Sequence, residues 1–222
     1  CKKIVFSSTC AVYGYPKTLP VTEDMPQEPV SVYGETKRMF EAILAWYEKI
    51  YAITSISLRY FNAAGATEDG KLGEDHREET HIIPLAIGCA ISNKPFTLYG
   101  DDYDSPDGTC LRDYIHVVDL AEAHVLSLQK LVKKNKSAVY NLGTEKPYSN
   151  KEVVAMIKRV SGVDFPVKLT GRREGDPDAI YADSTRAKKE LGWRPKFDNL
   201  ETIVKTAWVW HKTHPKGYPP DV

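Results

Sequence analysis

The sequence predicts an α/β protein built on a parallel sheet, with a less regular second lobe. In the first half of the chain, short apolar segments alternate with helical patterns, and this alternation is typical of parallel strands joined by helices. Loops and short elements dominate the second half. Of the 222 residues, 42% are hydrophobic and 27% are charged, so the chain can form a packed core.

The first half opens with the apolar segment 3–9, KIVFSST, which predicts a strand that ends in small hydroxyl residues. A loop rich in proline and glycine follows. From Tyr33 onward, apolar residues recur at helical spacing and predict a helix over about 33–50. The segment 54–62, TSISLRYFN, predicts the next strand. After a long polar loop, a second helix is expected to begin near Ile82.

The second half alternates in the same way but with shorter segments. Strands are predicted at 95–100, 138–143 and 165–171, and helices at 118–131, 149–162, 184–193 and 198–215. The last of these helices is expected to begin at Asp198 or Asn199, since both residue types are preferred N-caps.

Two of the predicted helices carry further capping signals. Asp119 is the expected N-cap of the helix at 118–131. Ser149 and Glu152 have the spacing of a capping box, in which each residue satisfies a free backbone N–H of the other. Gly162 is expected to end that helix, because glycine adopts the left-handed conformation of a C-terminal cap without strain.

Charge balance and cysteine pattern exclude several classes of protein. Thirty basic residues offset thirty acidic ones, so we do not expect a nucleic-acid binder, which needs surplus cations. No apolar run approaches the roughly 18 residues of a membrane span. Four cysteines without CxxC or zinc-finger spacing predict reduced thiols in a cytoplasmic protein, with no metal site: Cys1, Cys10, Cys89 and Cys110.

Tyr33 and Lys37 lie four residues apart in a predicted helix and therefore share one face. A free tyrosine titrates near pH ~10, and a nearby cation lowers this pKa, so the pair is a candidate general base. The same spacing also occurs on exposed helical surfaces. Upstream, Ser7, Ser8 and Thr9 end a strand, and ligands bind at such strand ends in parallel sheets. The combination favours proton transfer.

Longer segments carry a resemblance to a known family. They are FSSTCAVYG, YGETK, LRYFNAAGA, GKLGED, LYGDDYDSPDGTCLRDYIHVVDLAEAH, YNLG, GRREGD and HPKGY, and they run through the whole chain. In these segments the sequence resembles the extended short-chain dehydrogenases/reductases. Within that superfamily it is most similar to the UDP-glucose 4-epimerase family. DGTCLRDYIHV and GRREGD are the most specific segments.

The resemblance implies part of a Rossmann-like doubly wound parallel sheet plus a smaller mixed α/β substrate-binding lobe. Residues 1–65 and 112–145 would be the remaining part of an NAD-binding domain, and residues 66–111 and 146–222 a UDP-sugar-binding domain. The family opens with a Gly-rich turn, G-x-x-G-x-x-G, that cradles the NAD diphosphate. This sequence contains no such turn and starts at Cys1. We therefore expect the carboxyl-terminal portion of an enzyme, inactive by itself.

For the reaction, the resemblance implies that Tyr33 is the base for the sugar 4-hydroxyl. Lys37 would lower the pKa of Tyr33 and bind the nicotinamide ribose, and Thr9 would be the catalytic hydroxyl. NAD would accept a hydride from C4, leaving a 4-keto sugar, and return it to the opposite face. The remaining implied cofactor contacts are Ser7, Ser8, Tyr60 and Phe61.

For the substrate, the resemblance implies that Arg112 and Arg173 hold the diphosphate of a UDP-sugar by charge-assisted hydrogen bonds. Asp176 would bind the uridine ribose. An ion pair between Arg112 and Asp113 is the structural alternative. The other implied UDP-sugar contacts are Thr9, Asn62, His81, Ile82, Thr97, Tyr99 and Ile180.

Two of these positions depart from the family pattern. His81 stands where several members have an asparagine. Ile180 lies near the position that limits room for an N-acetyl group at sugar C2, so acceptance of UDP-GlcNAc stays open.

Cys10 and Ala11 follow Thr9, where related dehydratases have Asp and Glu. Because elimination of water needs an added acid and base, this pattern favours epimerisation over dehydration. Two alternatives stay open: an epimerase of another UDP-sugar (UDP-arabinose, UDP-xylose, UDP-GlcNAc or UDP-glucuronate), and a non-catalytic UDP-sugar-binding fragment. The resemblance also implies a homodimer formed through two helices, one of which carries Tyr33.

Overall fold

The computed structural model describes residues 1–219 and confirms the α/β class. Over this range, nine strands and six α-helices follow one another. The strands are β1 (Lys3–Ser7), β2 (Thr54–Tyr60), β3 (Asn62–Ala64), β4 (Phe96–Tyr99), β5 (Leu111–His116), β6 (Ala138–Leu142), β7 (Pro147–Ser149), β8 (Val167–Thr170) and β9 (Ala179–Ile180). The α-helices are α1 (Val32–Tyr51), α2 (Ile82–Ser92), α3 (Val117–Lys134), α4 (Asn150–Ser161), α5 (Thr185–Leu191) and α6 (Leu200–Thr213), and a 3₁₀ turn spans Cys10–Tyr13.

The main sheet consists of three parallel strands in the order β1-β2-β6. Alternate side chains of β2 face opposite sides of this sheet. Ile56 and Leu58 pack in an apolar core with residues of α3 and β6. Arg59 instead pairs with Glu41 of α1, with Nη2 and Oε2 2.5 Å apart. Helix α3 therefore covers an apolar face of the sheet, and α1 covers a polar one.

A second sheet is organised around β5, which pairs in parallel with β3 and β9 and antiparallel with β7. Strands β4 and β8 form a separate parallel pair. The sequence analysis did not predict β5 as a strand, because LRDYIH mixes charged and apolar residues and lacks the pattern of a buried strand. The structure shows that Asp113 and His116 are buried with hydrogen-bond partners, whereas the buried Tyr114 hydroxyl has none among the described residues.

Asp113 shows how β5 tolerates a charged residue. Its carboxylate accepts hydrogen bonds from the backbone N–H groups of Thr144 (2.8 Å), Glu145 (3.1 Å) and Ala182 (3.1 Å), and from the Thr144 hydroxyl (2.8 Å). Burial raises the pKa of this carboxyl above its ordinary value, and the four donors oppose that shift. The carboxylate thus joins three separate segments of backbone at the centre of the molecule.

The N-cap of α3 differs from the prediction. The capping residue is His116, whose Nδ1 accepts a hydrogen bond from the backbone N–H of Val118 at 3.1 Å. Asp119 lies in the first turn instead, and its carboxylate accepts hydrogen bonds from the backbone N–H groups of Lys196 (2.8 Å) and Phe197 (2.9 Å). Asp119 therefore anchors the loop at Lys196 and Phe197 instead of capping its own helix.

The other predicted helix ends are confirmed. Ser149 and Glu152 form a complete capping box at the start of α4, and Gly162 ends that helix in the left-handed conformation. Of the two candidates for the start of α6, Asn199 is the N-cap, since its side chain accepts a hydrogen bond from the backbone N–H of Thr202.

The two larger apolar cores of the described residues lie in different parts of the fold. One joins the main sheet to α3 and α5, and the other joins α2, α4 and α6 to β4 and β5. Ala187 of α5 and the following Trp193 pack in the first core, although the predicted division assigned residues 146–222 to the second unit. That division itself stays a prediction, and its last residues, 220–222, lie outside the described range.

Helix α1 carries a row of exposed apolar side chains: Val32, Met39, Ile43, Trp46 and Ile50. Their spacing places them along one side of the helix. Even so, neither α1 nor any other helix within residues 1–219 combines the length and apolar character needed to cross a membrane.

Candidate active site

A cleft of about 700 Å³ brings together most of the predicted UDP-sugar contacts. Its wall is built by the 3₁₀ turn, β3, the start of α2, β4, β5 and the loop before β9, segments that are far apart in the sequence. Nine of the ten predicted contacts line it: Asn62, His81, Ile82, Thr97, Tyr99, Arg112, Arg173, Asp176 and Ile180. Thr9, the tenth, does not, but Cys10 and Ala11 beside it do.

Arg112 is held rigidly in this wall. Its Nη1 donates hydrogen bonds to the carbonyl oxygens of Leu111 (3.0 Å) and Pro177 (2.8 Å), and its Nη2 lies 3.2 Å from Asp176 Oδ1. The alternative ion pair with Asp113 does not form between these described residues, because successive side chains of a strand point to opposite faces. The guanidinium is therefore oriented before any ligand enters.

Arg173 adds a second guanidinium to the same wall. It lies on the exposed loop between β8 and β9, and within residues 1–219 it forms no ion pair. The adjacent Arg172 behaves differently, since it pairs with Asp102 and Asp178. Arg112 and Arg173 together present two guanidinium groups to the cleft, and guanidinium groups match phosphate oxygens in charge and geometry.

Thr9 caps the 3₁₀ turn, where its Oγ1 accepts a hydrogen bond from the backbone N–H of Ala11 at 3.2 Å. Burial raises the pKa of the adjacent Cys10 thiol to about 12. The thiol therefore stays protonated at neutral pH and is a poor nucleophile or base. Neither Cys10 nor Ala11 offers the acid and base that a dehydration would require at this turn.

Tyr33 and Lys37 occupy the first turns of α1, next to the end of β1. The Lys37 Nζ donates a hydrogen bond to the Ser7 carbonyl oxygen at 2.8 Å and stands 5.6 Å from the centre of the Tyr33 ring. The expectation that Lys37 lowers the pKa of Tyr33 is corrected by this structure. Burial raises the pKa of the phenol, and the neighbouring Thr9 hydroxyl offsets only part of the shift. The ammonium is held by a backbone carbonyl and stands over the ring.

Two further predicted cofactor residues lie beside this pair. The Ser7 hydroxyl is hydrogen-bonded to His124 Nε2 at 2.9 Å, and the ring centre of Tyr60 lies 6.5 Å from that of His124. Together with Tyr33 and Lys37, these side chains gather at the carboxyl end of β1, which is where a parallel sheet binds its ligands.

Ser8 and Phe61, the other two predicted cofactor residues, have different surroundings. The Ser8 hydroxyl donates a hydrogen bond to Glu41 Oε1 at 2.5 Å, and the Phe61 ring is buried in a small core with Val12 and Val21. The Ser8 hydroxyl is used in this hydrogen bond and the Phe61 ring packs in the core. Any contact of these two residues with a cofactor would therefore involve their backbone.

The surroundings of His81 were missed by the sequence analysis. His81 is the N-cap residue of α2, and its Nδ1 faces Glu74 and Glu79, with His76 alongside. The spacing Glu-x-His-x-x-Glu-x-His over residues 74–81 is the signal that would have found this cluster. This spacing is neither a CxxC pair nor a zinc-finger offset, so the cysteine pattern gave no indication of it.

The sequence profile of the NAD dependent epimerase/dehydratase family matches residues 1–143. The chain belongs to this family. The matched range includes the strand-end hydroxyls and the Tyr33–Lys37 pair. Arg173 and Asp176 lie beyond it, in the lobe that completes the cleft.

Among curated family members, the chain is similar to UDP-glucose 4-epimerases. That of Lactobacillus helveticus is 54% identical over 98% of this chain and 66% of its own length. The enzyme of Streptococcus mutans is 46% identical, again over 98% of this chain and 66% of its own length. The chain thus spans about two thirds of the length of these relatives.

Solved structures of family members have the same fold. The UDP-glucose 4-epimerase of Brucella ovis, crystallised with NAD, superimposes with a TM-score of 0.90 at 46% identity, covering 93% of this chain and 64% of its own. The enzyme of Bifidobacterium longum, crystallised with NAD⁺ and UDP, gives a TM-score of 0.89 at 41% identity, covering 98% and 65%. The Rossmann-like fold predicted for the chain is confirmed.

Proposed function

We propose that this chain provides the UDP-sugar cleft and the catalytic residues of an NAD-dependent UDP-glucose 4-epimerase. The observation that carries the proposal is the convergence of nine predicted ligand residues on one cleft. These residues come from five separate segments: β3, the start of α2, β4, β5 and the loop that leads into β9. Packing alone gives no reason for them to meet. The similarity to UDP-glucose 4-epimerases at 46–54% identity supports the same substrate class.

The cleft divides the recognition of a UDP-sugar among distinct groups. Arg112 and Arg173 would bind the diphosphate, since guanidinium groups match phosphate oxygens in charge and geometry. Asp176 would accept a hydrogen bond from the uridine ribose. Tyr99 and Ile82 would line the uracil, and Asn62 would contact the sugar end near Cys10.

Tyr33 would remove the proton of the sugar 4-hydroxyl, and Thr9, whose hydroxyl lies next to the phenol, would orient the sugar oxygen. NAD, when bound, supplies the chemistry of hydride acceptance and return at C4. Lys37 and Ser7 would hold the nicotinamide end, and Lys37 is already oriented by its hydrogen bond to the Ser7 carbonyl. A positive charge on a bound ligand would favour the phenolate of Tyr33, which burial by itself disfavours.

The residues that are present fit one end of NAD. A phenol, an ammonium and a hydroxyl gather at the end of β1, and this set of donors suits a ribose and a carboxamide. The Gly-rich turn that binds the NAD diphosphate in this family does not occur in the sequence. We therefore propose that the 222 residues alone bind UDP and have little or no turnover.

A different UDP-sugar is the second candidate, and Ile180 is the reason for it. Ile180 lines the cleft and is 5% exposed. Its side chain is intermediate in size between the residues that close the space at sugar C2 and those that open it. UDP-GlcNAc, UDP-arabinose, UDP-xylose and UDP-glucuronate are the substrates to compare. A non-catalytic UDP-sugar-binding role is the third candidate.

The predicted homodimer is supported by the exposed apolar row on α1, which includes Ile43, Trp46 and Ile50. Isolated surface leucines and valines are common, but a continuous row along one helix is typical of an interface. The cytoplasmic location and the absence of a nucleic-acid partner stay predictions.

Two measurements test the proposed function. Calorimetric titration with UDP tests the cleft, and incubation with UDP-galactose and NAD, followed by chromatography for UDP-glucose, tests the reaction. UDP binding without turnover in the 222-residue chain is the expected result. Absence of UDP binding would contradict the proposal, and UDP binding by a preparation with a complete NAD site but without turnover would favour the non-catalytic role.

A further inference from the structure

The loop before α2 brings two imidazoles and two carboxylates together at the rim of the cleft. His76 Nδ1 lies 3.2 Å from Glu74 Oε1 and 3.3 Å from Glu79 Oε2. His81 Nδ1 lies 2.7 Å from Glu74 Oε1 and 3.1 Å from Glu79 Oε1. One ligand atom from each of the four residues lies within 4.8 Å of all the others. Both imidazole nitrogens therefore face both carboxylates.

These distances match the geometry of a tetrahedral metal site. Zinc binds histidine nitrogen and carboxylate oxygen at about 2.0–2.1 Å, which places neighbouring ligand atoms roughly 3.3 Å apart. The four nitrogen–oxygen separations run from 2.7 to 3.3 Å, with Glu79 offering a different oxygen to each histidine. An ion that replaces the two imidazole protons would thus require only small movements of the side chains.

The ligand types favour a transition metal over magnesium or calcium. Imidazole nitrogen suits Zn²⁺, Co²⁺ and Ni²⁺, whereas Mg²⁺ and Ca²⁺ prefer oxygen ligands alone. The carboxylates of Glu74 and Glu79 would neutralise the charge of a divalent ion, and the neutral histidines would complete four ligands.

The loop is also fixed in place around the cluster. Glu79 Oε1 accepts hydrogen bonds from the backbone N–H groups of Thr80 and His81, both at 2.7 Å. On the other side, the Trp210 indole donates to the Glu74 carbonyl oxygen at 2.9 Å. Exposure differs within the set: the glutamate side chains are 18–19% exposed, and the histidines 49–54%. An ion could reach the site from solvent and find its carboxylates already positioned.

We propose that Glu74, His76, Glu79 and His81 bind one divalent transition-metal ion, with Zn²⁺ the best fit. The site is separate from the proton-transfer pair at Tyr33, and it does not depend on the proposed epimerase activity. Because His81 is both a ligand and part of the cleft wall, the ion would fasten the start of α2 to the loop that precedes it.

The test is metal binding to the metal-stripped, untagged protein. Calorimetry with ZnCl₂ should give one ion per chain, and Co²⁺ should give the intense visible absorption of a tetrahedral site. His76→Gln is the decisive variant, because His76 is half-exposed and lies outside the cleft wall. We expect it to weaken Zn²⁺ binding by about 10–100-fold or more, the range seen even for residues that only support a ligand.

Glu78→Gln is the matched control, since Glu78 is an exposed carboxylate in the same loop but outside the cluster. It should bind Zn²⁺ as the parent protein does. The proposal is overturned if the parent shows no saturable binding, if His76→Gln binds equally well, or if Co²⁺ gives only the weak spectrum of six-coordinate cobalt. Circular dichroism of each variant verifies that a loss of binding is not a loss of fold.

Discussion

The guanidinium of Arg112 and the carboxylate of Asp176 form an ion pair in the wall of the cleft, with Nη2 and Oδ1 3.2 Å apart. The pair is partly shielded, since the Arg112 side chain is only 11% exposed. Asp176 therefore holds the arginine in a fixed orientation, and the backbone carbonyl of Pro177 supplies a second anchor at 2.8 Å. A ligand diphosphate would meet a guanidinium whose rotational freedom is already lost.

Replacing Arg112 with lysine should weaken UDP binding. Lysine keeps the charge but cannot hold Asp176, Pro177 and a phosphate oxygen at once, because it lacks the planar fork of donors. A charge-assisted hydrogen bond contributes about 1.5–3 kcal/mol, so we expect a roughly 10- to 150-fold rise in Kd by calorimetry. Arg159→Lys, at an exposed position on α4, should leave the Kd unchanged. An equal effect of both substitutions would contradict a specific role for Arg112.

Tyr33→Phe should remove most turnover in a preparation with a complete NAD site. Loss of a general base costs about 10²–10⁴-fold in rate, while UDP affinity should change less than twofold because the phenol does not line the cleft. Tyr47→Phe, on the same helix, is the matched control. Near-normal UDP-galactose conversion by the Tyr33 variant would exclude it as the base.

The ionisation of Tyr33 without ligands can be measured directly. Because burial raises the pKa of the phenol, its neutral form is favoured in the folded state, and the stability that this contributes is lost as pH rises through the raised value. Ultraviolet difference titration of the parent against Tyr33→Phe should show no phenolate from this residue below pH ~10. A phenolate signal near neutral pH would show that the charge of Lys37 lowers the Tyr33 pKa by more than burial raises it.

Asp113→Asn should destabilise the fold. The amide can accept from one pair of donors, but its NH₂ group would face the backbone N–H groups of Glu145 and Ala182. Leaving buried donors unsatisfied costs about 1–3 kcal/mol each, so a clear fall in the midpoint of urea unfolding is expected. Asp104→Asn, at an exposed position, should change the midpoint little. Equal stability of the two variants would contradict the junction role of Asp113.

Gly73→Ala should also lower stability, for a steric reason. A Cβ at Gly73 would lie 2.2 Å from Cγ of Trp210, which is buried and donates to the Glu74 carbonyl oxygen. Overpacking of this kind costs about 1–3 kcal/mol in the free energy of unfolding. At Gly171 nothing lies within 4 Å of such a Cβ, so Gly171→Ala is the control. Thermal unfolding of both variants tests the expectation.

Local patterns in the sequence were enough to predict the helices and the main strands. Helix α4 is an example, because its apolar spacing, the Ser149–Glu152 capping box and Gly162 all indicate the same element. Strand β5 was missed because its stability comes from long-range partners. Asp113 is satisfied by residues about 30 and 70 positions away, which no local pattern reveals.

The resemblance named most residues of the cleft wall, but not how they are arranged. The resemblance identified Arg112 and Asp176 separately, whereas the ion pair between them depends on how β5 and the loop before β9 pack. The direction of the Tyr33 pKa was predicted wrongly, since spacing indicates that Lys37 is near but does not say that the Ser7 carbonyl holds its ammonium.

The construction of the cleft wall from six separate segments has a thermodynamic consequence. A ligand that touches all of them links the large core of α2, α4 and α6 to the small core of Val12, Val21 and Phe61, and it binds only when both are folded. At a hundred times its dissociation constant, such a ligand adds about 2.7 kcal/mol to the free energy of unfolding. Nucleotide-dependent resistance to proteolysis would therefore extend to helix α6, which packs in the large core without lining the cleft.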